Sequence, residues 1–382
     1  MYLSKLKVYN YRNLSDQTIE FKNGPVYITG PNGNGKTNLV EALYLLSGSR
    51  SFRTNSQAEL VQWGKSEASV FGTVETKNGQ AELGITISLG QKSGAKPAGQ
   101  RSGQREAFIN GTALQSVADL MGSCSVVAFS PVDLSLVKGA PAGRRKFLDR
   151  HIVDLQPAFL SLLMAYQRAL ESKSALLKSP TVTPRDLYPW NELLVEYGGK
   201  IVDNRVKFLE GLIKKSTLFH TSFAQPDGAL MISLESDLLN PDGSVLSTEE
   251  LRREFDRVAS REISLRSCVF GPHRDDIAIT LGGVDSRAYA SQGQTRTIVL
   301  ALKLGVIELL EERLGESPIV ILDDVDSELD AQRTKQLFQA LAQQERQIFI
   351  TGTAKPAEEL SQPGRAKVEL IEVREGVVGL AS

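Results

Sequence analysis

The stretch Gly30-Pro-Asn-Gly-Asn-Gly-Lys-Thr37 decides the fold, because it matches the pattern GxxxxGK[ST] in full. It directly follows Val26-Tyr-Ile-Thr29, a short apolar run typical of a buried strand, and from Thr37 the apolar residues recur at helical spacing. A strand, a glycine-rich turn and a helix in this order form a phosphate-binding loop. The backbone N–H groups of such a loop surround a phosphate, the lysine reaches the β- and γ-phosphates, and the hydroxyl ligates Mg²⁺. The sequence therefore predicts a nucleotide site made of Gly30, Pro31, Asn32, Gly33, Asn34, Gly35, Lys36 and Thr37.

A second acidic motif fits the same chemistry. Ile319-Val-Ile-Leu322 is apolar throughout and is followed by two carboxylates, Asp323 and Asp324. A buried strand that ends in an aspartate is how P-loop ATPases hold Mg²⁺, so we expect Asp323 to be a metal ligand together with Thr37. Asp324 is then placed to orient or deprotonate an attacking water. The alternative is an ordinary strand followed by an acidic turn.

A third motif, Ser291-Gln-Gly-Gln-Thr-Arg296, begins a predicted helix with a hydroxyl and a glycine. A helix N-terminus of this kind can receive a phosphate, because its first N–H groups have no partner within the helix. In isolation the motif is equally well a simple helix cap.

Composition excludes several classes of protein. The chain has 382 residues with a formal net charge of -1, so any nucleic-acid surface must be a local patch. Cys124 and Cys268 are the only cysteines and form no CxxC motif, which argues against a disulfide framework or a Cys/His metal site. No apolar run approaches the ~20 residues that span a bilayer. We expect a cytoplasmic protein with no membrane partner.

The pattern along the chain predicts a discontinuous α/β head, residues 1–150 and 262–382, and an inserted helical lobe, residues 151–261. Residues 1–150 are rich in alternating strands, whereas long helical stripes follow from Gln156, one of them ~30 residues long with Gly198-Gly199 as a point where it can bend. Ile277–Leu281 and Val284–Arg287 form a predicted hairpin. Residues 91–105 contain four basic residues and no acid, which predicts a mobile loop or a loop that touches DNA.

The order of these motifs resembles the head of ATP-binding-cassette ATPases, and within them the RecF family, which is related to the SMC ATPases. The fold class implied is α/β, an ABC-type P-loop NTPase head with a mixed sheet plus an inserted α-helical lobe. The segments that carry the resemblance, besides those above, are Tyr9-Asn-Tyr-Arg-Asn-Leu14, Ser51-Phe-Arg-Thr54, Phe129-Ser-Pro-Val-Asp-Leu134, Arg144-Arg-Lys-Phe-Leu-Asp149, Gly271-Pro-His-Arg-Asp-Asp276 and Ser327-Glu-Leu-Asp330.

The resemblance implies a particular ATP site. In cassette ATPases two heads dimerise around two ATP molecules, so Ser291, Gly293 and Gln294 would bind the γ-phosphate held by a second copy. Arg12 and Asn13 would lie near the nucleotide, and Lys36, Asp323 and Asp324 would be catalytic, with ATP and Mg²⁺ as cofactors.

The chain departs from the cassette pattern at three places. Many relatives have a glutamate where this chain has Asp324. Thr351-Gly-Thr353 replaces the usual switch histidine, and Ser130 stands where a glutamine is usual. We therefore expect slow ATP hydrolysis that serves as a switch.

RecF-like proteins bind double-stranded DNA and its junctions with single strands. With RecO and RecR they promote RecA loading at gaps coated by single-strand-binding protein, in DNA replication, recombination and the repair of DNA damage linked to the SOS response. A weak, DNA-stimulated ATPase is implied. Local basic candidates for DNA contact, each of which is equally a solvated or ion-paired residue, are Arg50, Arg53, Arg144, Arg145 and Lys146.

Two other functions fit parts of the sequence. The nucleotide-binding subunit of an ABC transporter would share the P-loop, but the Ser-Gln-Gly-Gln signature and the long helical insertion argue against it. A structural SMC-like tether would need coiled arms of several hundred residues, whereas the predicted helix reaches only ~45 Å. His273 is expected to be structural or at an interface, because no second histidine is near it in sequence.

Overall fold

The computed structural model describes residues 1–90, 103–223, 228–324, 329–342, 344–352 and 368–380. The chain divides into two units. The first unit comprises Met1–Asp133 and Leu300–Ser382, and the second comprises Leu134–Val299. Most of the basic loop predicted at 91–105, together with Ser327 and Thr353, lies outside the described residues.

Strands of the first unit form two six-stranded sheets. The antiparallel sheet contains β1 (Tyr2–Tyr9), β2 (Gln17–Glu20), β4 (Glu67–Thr76), β5 (Gly79–Leu89), β6 (Gly103–Ile109) and β7 (Thr112–Ala113), in the order β2-β1-β4-β5-β6-β7. The mixed sheet contains β3 (Pro25–Thr29), β8 (Val126–Phe129), β12 (Ile319–Leu322), β13 (Ile348–Thr351), β14 (Glu369–Arg374) and β15 (Val377–Leu380), in the order β15-β14-β3-β13-β12-β8. The second unit has a three-stranded sheet of β9 (Leu230–Glu235), β10 (Asp276–Leu281) and β11 (Val284–Asp285).

The described helices lie mostly in the second unit. They are α1 (Lys36–Leu45), α2 (Ser135–Lys138), α3 (Pro141–Leu155), α4 (Ala158–Leu176), α5 (Pro184–Phe223), α6 (Thr248–Leu265), α7 (Ser286–Tyr289), α8 (Gln292–Leu314) and α9 (Ala331–Leu341). The boundary between the units falls within α8. None of the described helices is long and apolar enough to cross a membrane.

Hydrophobic patterning explains both sheets of the first unit. All residues of β12 and β13 are buried, as expected for parallel strands that are covered on both faces. In β1, Leu3, Leu6 and Val8 point into the core, and the break in their alternation coincides with a β-bulge between Leu3 and Lys5.

The parallel strands β3, β13 and β12 are neighbours, and their carboxyl ends meet at one edge of the mixed sheet. β3 ends just before the glycine-rich loop, β13 ends at Thr351, and β12 ends just before Asp323. Ligands of open α/β sheets bind at this edge. The topology therefore brings together segments that are about 300 residues apart in the chain.

The structure corrects several predicted boundaries. The predicted lobe boundary at residue 150 falls inside α3, and β9, which lies in a lobe predicted to be helical, pairs with β10 beyond residue 261. The second unit therefore extends from Leu134 to Val299. Gly103–Arg105 belong to β6 rather than to a loop, and the second strand of the predicted hairpin stops at Asp285 because Ser286 begins α7.

The long helix α5 is continuous through Gly198-Gly199, where we predicted a possible bend. It has 40 residues, and at 1.5 Å per residue it is about 60 Å long. The helix packs against α4 and α6 of the same unit, and Gly199 lies against α6, since a Cβ there would meet the side chain of Leu251 at 3.2 Å.

A buried ion pair joins two helices of the second unit. Lys173 of α4 lies 2.6 Å from Glu262 of α6, and both side chains are fully buried. The ammonium group also lies 4.9 Å from the centre of the Phe255 ring, and Glu262 accepts the backbone N–H of Val269. Burial of one such charge without its partner is strongly unfavourable.

Lys173→Met should therefore lower the free energy of unfolding by about 3–5 kcal/mol, because Glu262 is left as an unpaired buried charge. The double variant Lys173→Met/Glu262→Gln should recover most of this loss, since the amide keeps the acceptor for Val269. Urea denaturation of the three proteins measures the difference. A loss below about 1 kcal/mol in the single variant, the size of a surface pair, would contradict the argument.

Candidate nucleotide-binding site

The glycine-rich loop has the backbone that its sequence requires. Gly30 has φ 138°, and a Cβ there would lie 2.2 Å from the carbonyl oxygen of Val373. Gly35 has φ 114° and is the residue before the first turn of α1. Side chains are excluded at both positions, by conformation and by the close approach of neighbouring atoms. The loop is thus shaped by its glycines into a tight path between β3 and α1.

The N-terminus of α1 has the properties of an anion site. No side chain caps it, and its first turn contains no acidic residue. The Nζ of Lys36 turns back onto the loop and donates to the carbonyl oxygens of Gly30 at 2.6 Å and Pro31 at 3.2 Å. The helix dipole and the lysine therefore place positive charge at the same point.

Asp323 is the centre of a hydrogen-bonded group at the end of β12. Its Oδ1 accepts the hydroxyl of Thr37 at 3.0 Å and the hydroxyl of Thr351 at 2.8 Å. Its own N–H donates to the carbonyl of Phe129 on β8. The carboxylate thus joins α1 to the end of β13, while the backbone of the same residue is bonded to β8, and Asp323 is only 4% exposed.

The pKa of the Asp323 carboxyl is raised overall, because burial outweighs the contacts that lower it. Burial raises the pKa of this carboxyl, whereas the bonds from Thr351 and Thr37 and the charge of Arg53 lower it. The neighbouring Asp324 raises it further. A cation at this point would favour the ionised form. Hydroxyl and carboxylate oxygens are the donors that Mg²⁺ prefers, so Thr37 and Asp323 fit a magnesium site completed by phosphates and water.

Asp324 has a different setting from its neighbour. It is exposed and has φ 56°, a left-handed conformation that is uncommon for a residue other than glycine. Its N–H donates to the hydroxyl of Thr351 at 2.9 Å, so one threonine holds both aspartates. Thr351 lies where a switch histidine was expected, and sequence reasoning had assigned it no role.

A buried carboxylate, Glu41, anchors the predicted nucleotide residue Arg12. The guanidinium of Arg12 donates to Glu41 through Nε at 2.6 Å and Nη2 at 2.7 Å, and Tyr11 and Ser51 also donate to this carboxylate. Glu41 lies on α1 and is fully buried. Burial, and next the negative charge of Glu41, raises the pKa of Tyr11. Sequence analysis missed Glu41, although a lone acid among the apolar residues of α1 signals a buried partner.

Asn13 lies against the loop, as the prediction for a nucleotide residue requires. Its side chain donates to the carbonyl of Gly33 at 3.1 Å and accepts from Asn38 at 2.7 Å. Asn38 in turn accepts from Arg53 at 2.7 Å. Arg53, a candidate DNA contact by sequence, thus belongs to the hydrogen-bonded group around the loop.

The turn between β14 and β15 supports the loop from another side. Asn34 accepts the N–H of Glu375 through its side chain at 2.7 Å and the N–H of Gly376 through its carbonyl at 3.0 Å. The carbonyl of Gly376 accepts from Ser15 at 2.9 Å. The loop is therefore held between the C-terminal hairpin and the segment after β1.

The second unit carries the predicted signature at the start of α8. The backbone N–H of Ser291 donates to the Gln294 side chain at 2.8 Å, and the Gln294 N–H donates to the Ser291 hydroxyl at 3.2 Å. This reciprocal pair is a capping box, and Ser291 is exposed. Lys138 on α2 donates to three carbonyls between residues 286 and 290, which fixes the segment before the signature.

The basic run Arg144–Lys146 does not behave as one surface. Arg144 is 3% exposed and forms a two-point ion pair with Asp276, so its assignment to DNA is wrong. Arg145 donates to the carbonyl of Asp275 at 2.6 Å and is half-buried. Burial and next Arg205 lower the pKa of Arg145. Lys146 and, in the first unit, Arg50 are exposed.

His273 has a structural setting. Its Nδ1 shares a hydrogen bond with the Tyr166 hydroxyl at 2.7 Å. Burial lowers the pKa of His273 to about 4, so the ring is neutral at neutral pH. No group of three or more His, Cys, Asp or Glu residues suited to a metal occurs in the described part of the chain.

Comparison with known proteins identifies the group to which these features belong. Residues 2–375 match the family described as RecF/RecN/SMC N terminal domain. The DNA replication and repair protein RecF of Symbiobacterium thermophilum is 38% identical over 356 residues, which cover 92% of this chain and 92% of that protein. The protein of the same name from Oceanobacillus iheyensis is 34% identical over 391 residues, which cover 99% and 100%.

Solved structures agree with this similarity. A structure of the recombination mediator protein RecF-ATP in the RecFOR pathway matches with a TM-score of 0.86 at 31% identity, over 100% of this chain and 98% of that one. An Smc head domain from Pyrococcus furiosus matches with a TM-score of 0.55 at 15% identity, over 100% and 96%, and shares the fold alone. The predicted α/β head of the ABC-ATPase type is confirmed.

The C-terminal hairpin offers a matched pair of glycine substitutions. Gly376→Ala should lower both ATP affinity and stability by about 1–3 kcal/mol, because φ is 80° and the Cβ would lie 2.0 Å from the Asn13 carbonyl oxygen. Gly379→Ala, which meets nothing within 4 Å, should change both by less than about 0.5 kcal/mol. Isothermal titration calorimetry and thermal unfolding measure the two effects. Equal behaviour of the variants would show that the hairpin does not support the loop.

Thr351→Val should move the pH dependence of magnesium-dependent ATP binding upward. It removes a hydrogen bond that lowers the pKa of Asp323, so the carboxyl stays protonated to a higher pH and its metal affinity is lost earlier as pH falls. Thr351→Ser keeps the hydroxyl and should behave like the unmodified chain. ATP titrations in Mg²⁺ across the pH range measure the midpoint. Coincident profiles for valine and serine would refute this role of Thr351.

Proposed function

The chain belongs to the RecF family, and from this membership we propose that it is an ATP-dependent DNA-binding protein of recombinational repair and replication. The observation that carries the proposal is that Lys36, Thr37 and Asp323 lie together at the edge of the mixed sheet. The chain that holds them matches a RecF-ATP structure over its whole length. It acts in the cytoplasm, where DNA is repaired.

ATP binds with its phosphates in the loop Gly30–Thr37. Lys36 and the first N–H groups of α1 hold the phosphate oxygens. Thr37 and Asp323 hold Mg²⁺, which when bound neutralises charge on the β- and γ-phosphates. Arg12 and Asn13 border the same loop, and their contacts with Glu41 and Gly33 keep them in position.

Hydrolysis is slow and ends the bound state. Asp324 orients the attacking water, and the bond from its N–H to Thr351 fixes the backbone that carries it. Its side chain is one methylene shorter than the glutamate of many cassette ATPases, so it holds water less well. We expect a weak, DNA-stimulated ATPase with a turnover below about 10 per second, the median for enzymes.

ATP drives the formation of a homodimer. Ser291 directly precedes α8, and Gly293 and Gln294 lie in its first turn. The N-terminus of this 23-residue helix is suited to a γ-phosphate presented by a second copy. The exposure of Ser291 supports this role. Hydrolysis removes the shared phosphate and releases the two copies.

DNA and repair proteins are the partners. The solved RecF-ATP protein is assigned to the RecFOR pathway, and we propose that this chain likewise works with RecO and RecR to promote RecA loading at gaps coated by single-strand-binding protein. It binds double-stranded DNA and single/double-strand junctions. Arg50 and Lys146 are its exposed candidate contacts, with Arg145 half-buried. A transporter subunit is not favoured, because the curated relatives quoted above are repair proteins.

Light scattering tests the dimer without nucleotide, with ADP and with a non-hydrolysable ATP analogue, each with and without gapped duplex. The analogue should produce a dimer and tighten DNA binding, because only a γ-phosphate joins the loop of one copy to Ser291 of the other. Lys36→Ala should stay monomeric, whereas Asp324→Asn should dimerise with ATP and dissociate more slowly. If ATP produced neither a dimer nor tighter DNA binding, the proposed function would be wrong.

A further inference from the structure

Arg105, a half-buried arginine of the first unit, has no carboxylate partner among the described residues, unlike several other buried arginines of the chain. Arg105 lies on β6 directly opposite Ile87, a core residue of β5, so its side chain starts from the core side of the sheet. Its Nη2 donates to the carbonyl of Ser49 at 2.9 Å. Its Nε is buried and has no hydrogen-bond partner among the described residues.

Other arginines with largely buried side chains show what is usual in this protein. Five of them contact carboxylates: the pairs are Arg12–Glu41, Arg144–Asp276, Arg150–Asp154, Arg205–Asp149, Arg205–Asp275, Arg346–Glu308 and Arg346–Glu311. No described carboxylate lies within ion-pair distance of Arg105, and Glu106 beside it points to the other face of β6. The adjoining residues 91–102, which lie outside the described part of the chain, contain no Asp or Glu.

The charge next to Arg105 is of the same sign. Burial and next the neighbouring Arg50 lower the pKa of Arg105 to about 10, so it remains charged at neutral pH. Arg50 itself is exposed. A bound anion would stabilise two guanidinium groups that repel each other, one of which is partly desolvated.

The position of Arg105 and Arg50 indicates that the anion they would bind is not the phosphate of the nucleotide. The segment Ser49–Arg53 runs back along α1, since Ser51 contacts Glu41 and Arg53 contacts Asn38. Ser49, which Arg105 contacts, stays at the C-terminal end of α1, about 15 Å from the glycine-rich loop at 1.5 Å per residue. Arg105 and Arg50 are therefore separate from the phosphates of the nucleotide site. The segment Ser49–Arg53 nevertheless extends from Arg105 to the residues beside that site.

We propose that Arg105 and Arg50 form a binding site for a phosphodiester of the nucleic-acid backbone. The site rests on the proposed DNA-binding function and adds to it a residue that sequence analysis placed in a loop. A guanidinium fork suits a phosphate, and Arg50 presents one at the surface beside the partly buried charge of Arg105. The contact is to the backbone, so it contributes affinity and not sequence preference.

The test uses the full chain with the non-hydrolysable ATP analogue and a fluorescent gapped duplex, with anisotropy measured at several salt concentrations. Arg105→Met should weaken binding about tenfold and make the slope of log K against log salt shallower by about 0.9. Arg50→Gln should reduce the slope by a similar amount, and the double variant by about 1.8. Arg253→Gln, an exposed arginine of α6, is the matched control and should leave both quantities unchanged.

Thermal unfolding separates this site from a structural role. Arg105→Met removes a partly buried charge with no carboxylate partner, so its Tm should be unchanged or higher while DNA affinity falls. A lower Tm with unchanged DNA affinity would overturn the proposal. Arg105→Lys should keep the salt slope but lose part of the affinity. Arg50→Gln tests the same phosphate contact without a risk to folding, because Arg50 is exposed.

Two further arms identify the ligand. Inorganic phosphate or ATP that displaced the duplex as effectively, per phosphate, as unlabelled DNA would mean a small-anion site and would overturn the proposal. If the unmodified chain bound no DNA in any nucleotide state, the proposed function would fail and this site with it. If the unmodified chain binds DNA and the arginine variants bind it equally well, only the present inference fails.

Discussion

One carboxylate oxygen, Oδ1 of Asp323, holds together the three segments on which the nucleotide site depends. It accepts hydroxyl groups from Thr37 at the start of α1 and from Thr351 at the end of β13, while the backbone of Asp323 is tied to β8. These contacts require β3, β13 and β12 to be adjacent, parallel and in a fixed register. A slip of one residue in any of these pairings would turn the hydroxyl or the carboxylate to the other face of the sheet.

The motifs that could be predicted from sequence are those whose chemistry is local. The strand, glycine loop and helix of residues 26–45 are contiguous, the apolar strand before Asp323 is contiguous, and the capping box of Ser291 and Gln294 spans four residues. Contacts between distant segments could not be predicted in the same way. Asn34 and Glu375 are 341 residues apart, and no feature of either residue indicates the other.

The burial of Arg144 could have been predicted from its helical spacing, but the basic residues next to it suggested an exposed surface instead. Taken as a basic run, Arg144-Arg-Lys146 suggests a phosphate-binding surface. Read at helical spacing, Arg144, Leu148 and Ile152 form one stripe of α3, and all three are buried. The boundary of the second unit was missed for a different reason: β9 has only six residues between two helices, and its partner β10 lies more than 40 residues further on.

The near-zero net charge of the chain also takes on a structural meaning. Arginines such as Arg144, Arg205 and Arg346 are paired with carboxylates inside the molecule, so their positive charges are cancelled there and contribute little to a surface potential. A polyanion is attracted most strongly by cations that have no such partner. Because the segment Ser49–Arg53 touches Arg105 at one end and Asn38 beside the glycine-rich loop at the other, a phosphate bound there would act on residues that also border ATP. If both proposed sites are occupied, the segment Ser49–Arg53 would connect them, and its middle hydroxyl, that of Ser51, is bonded to the buried Glu41.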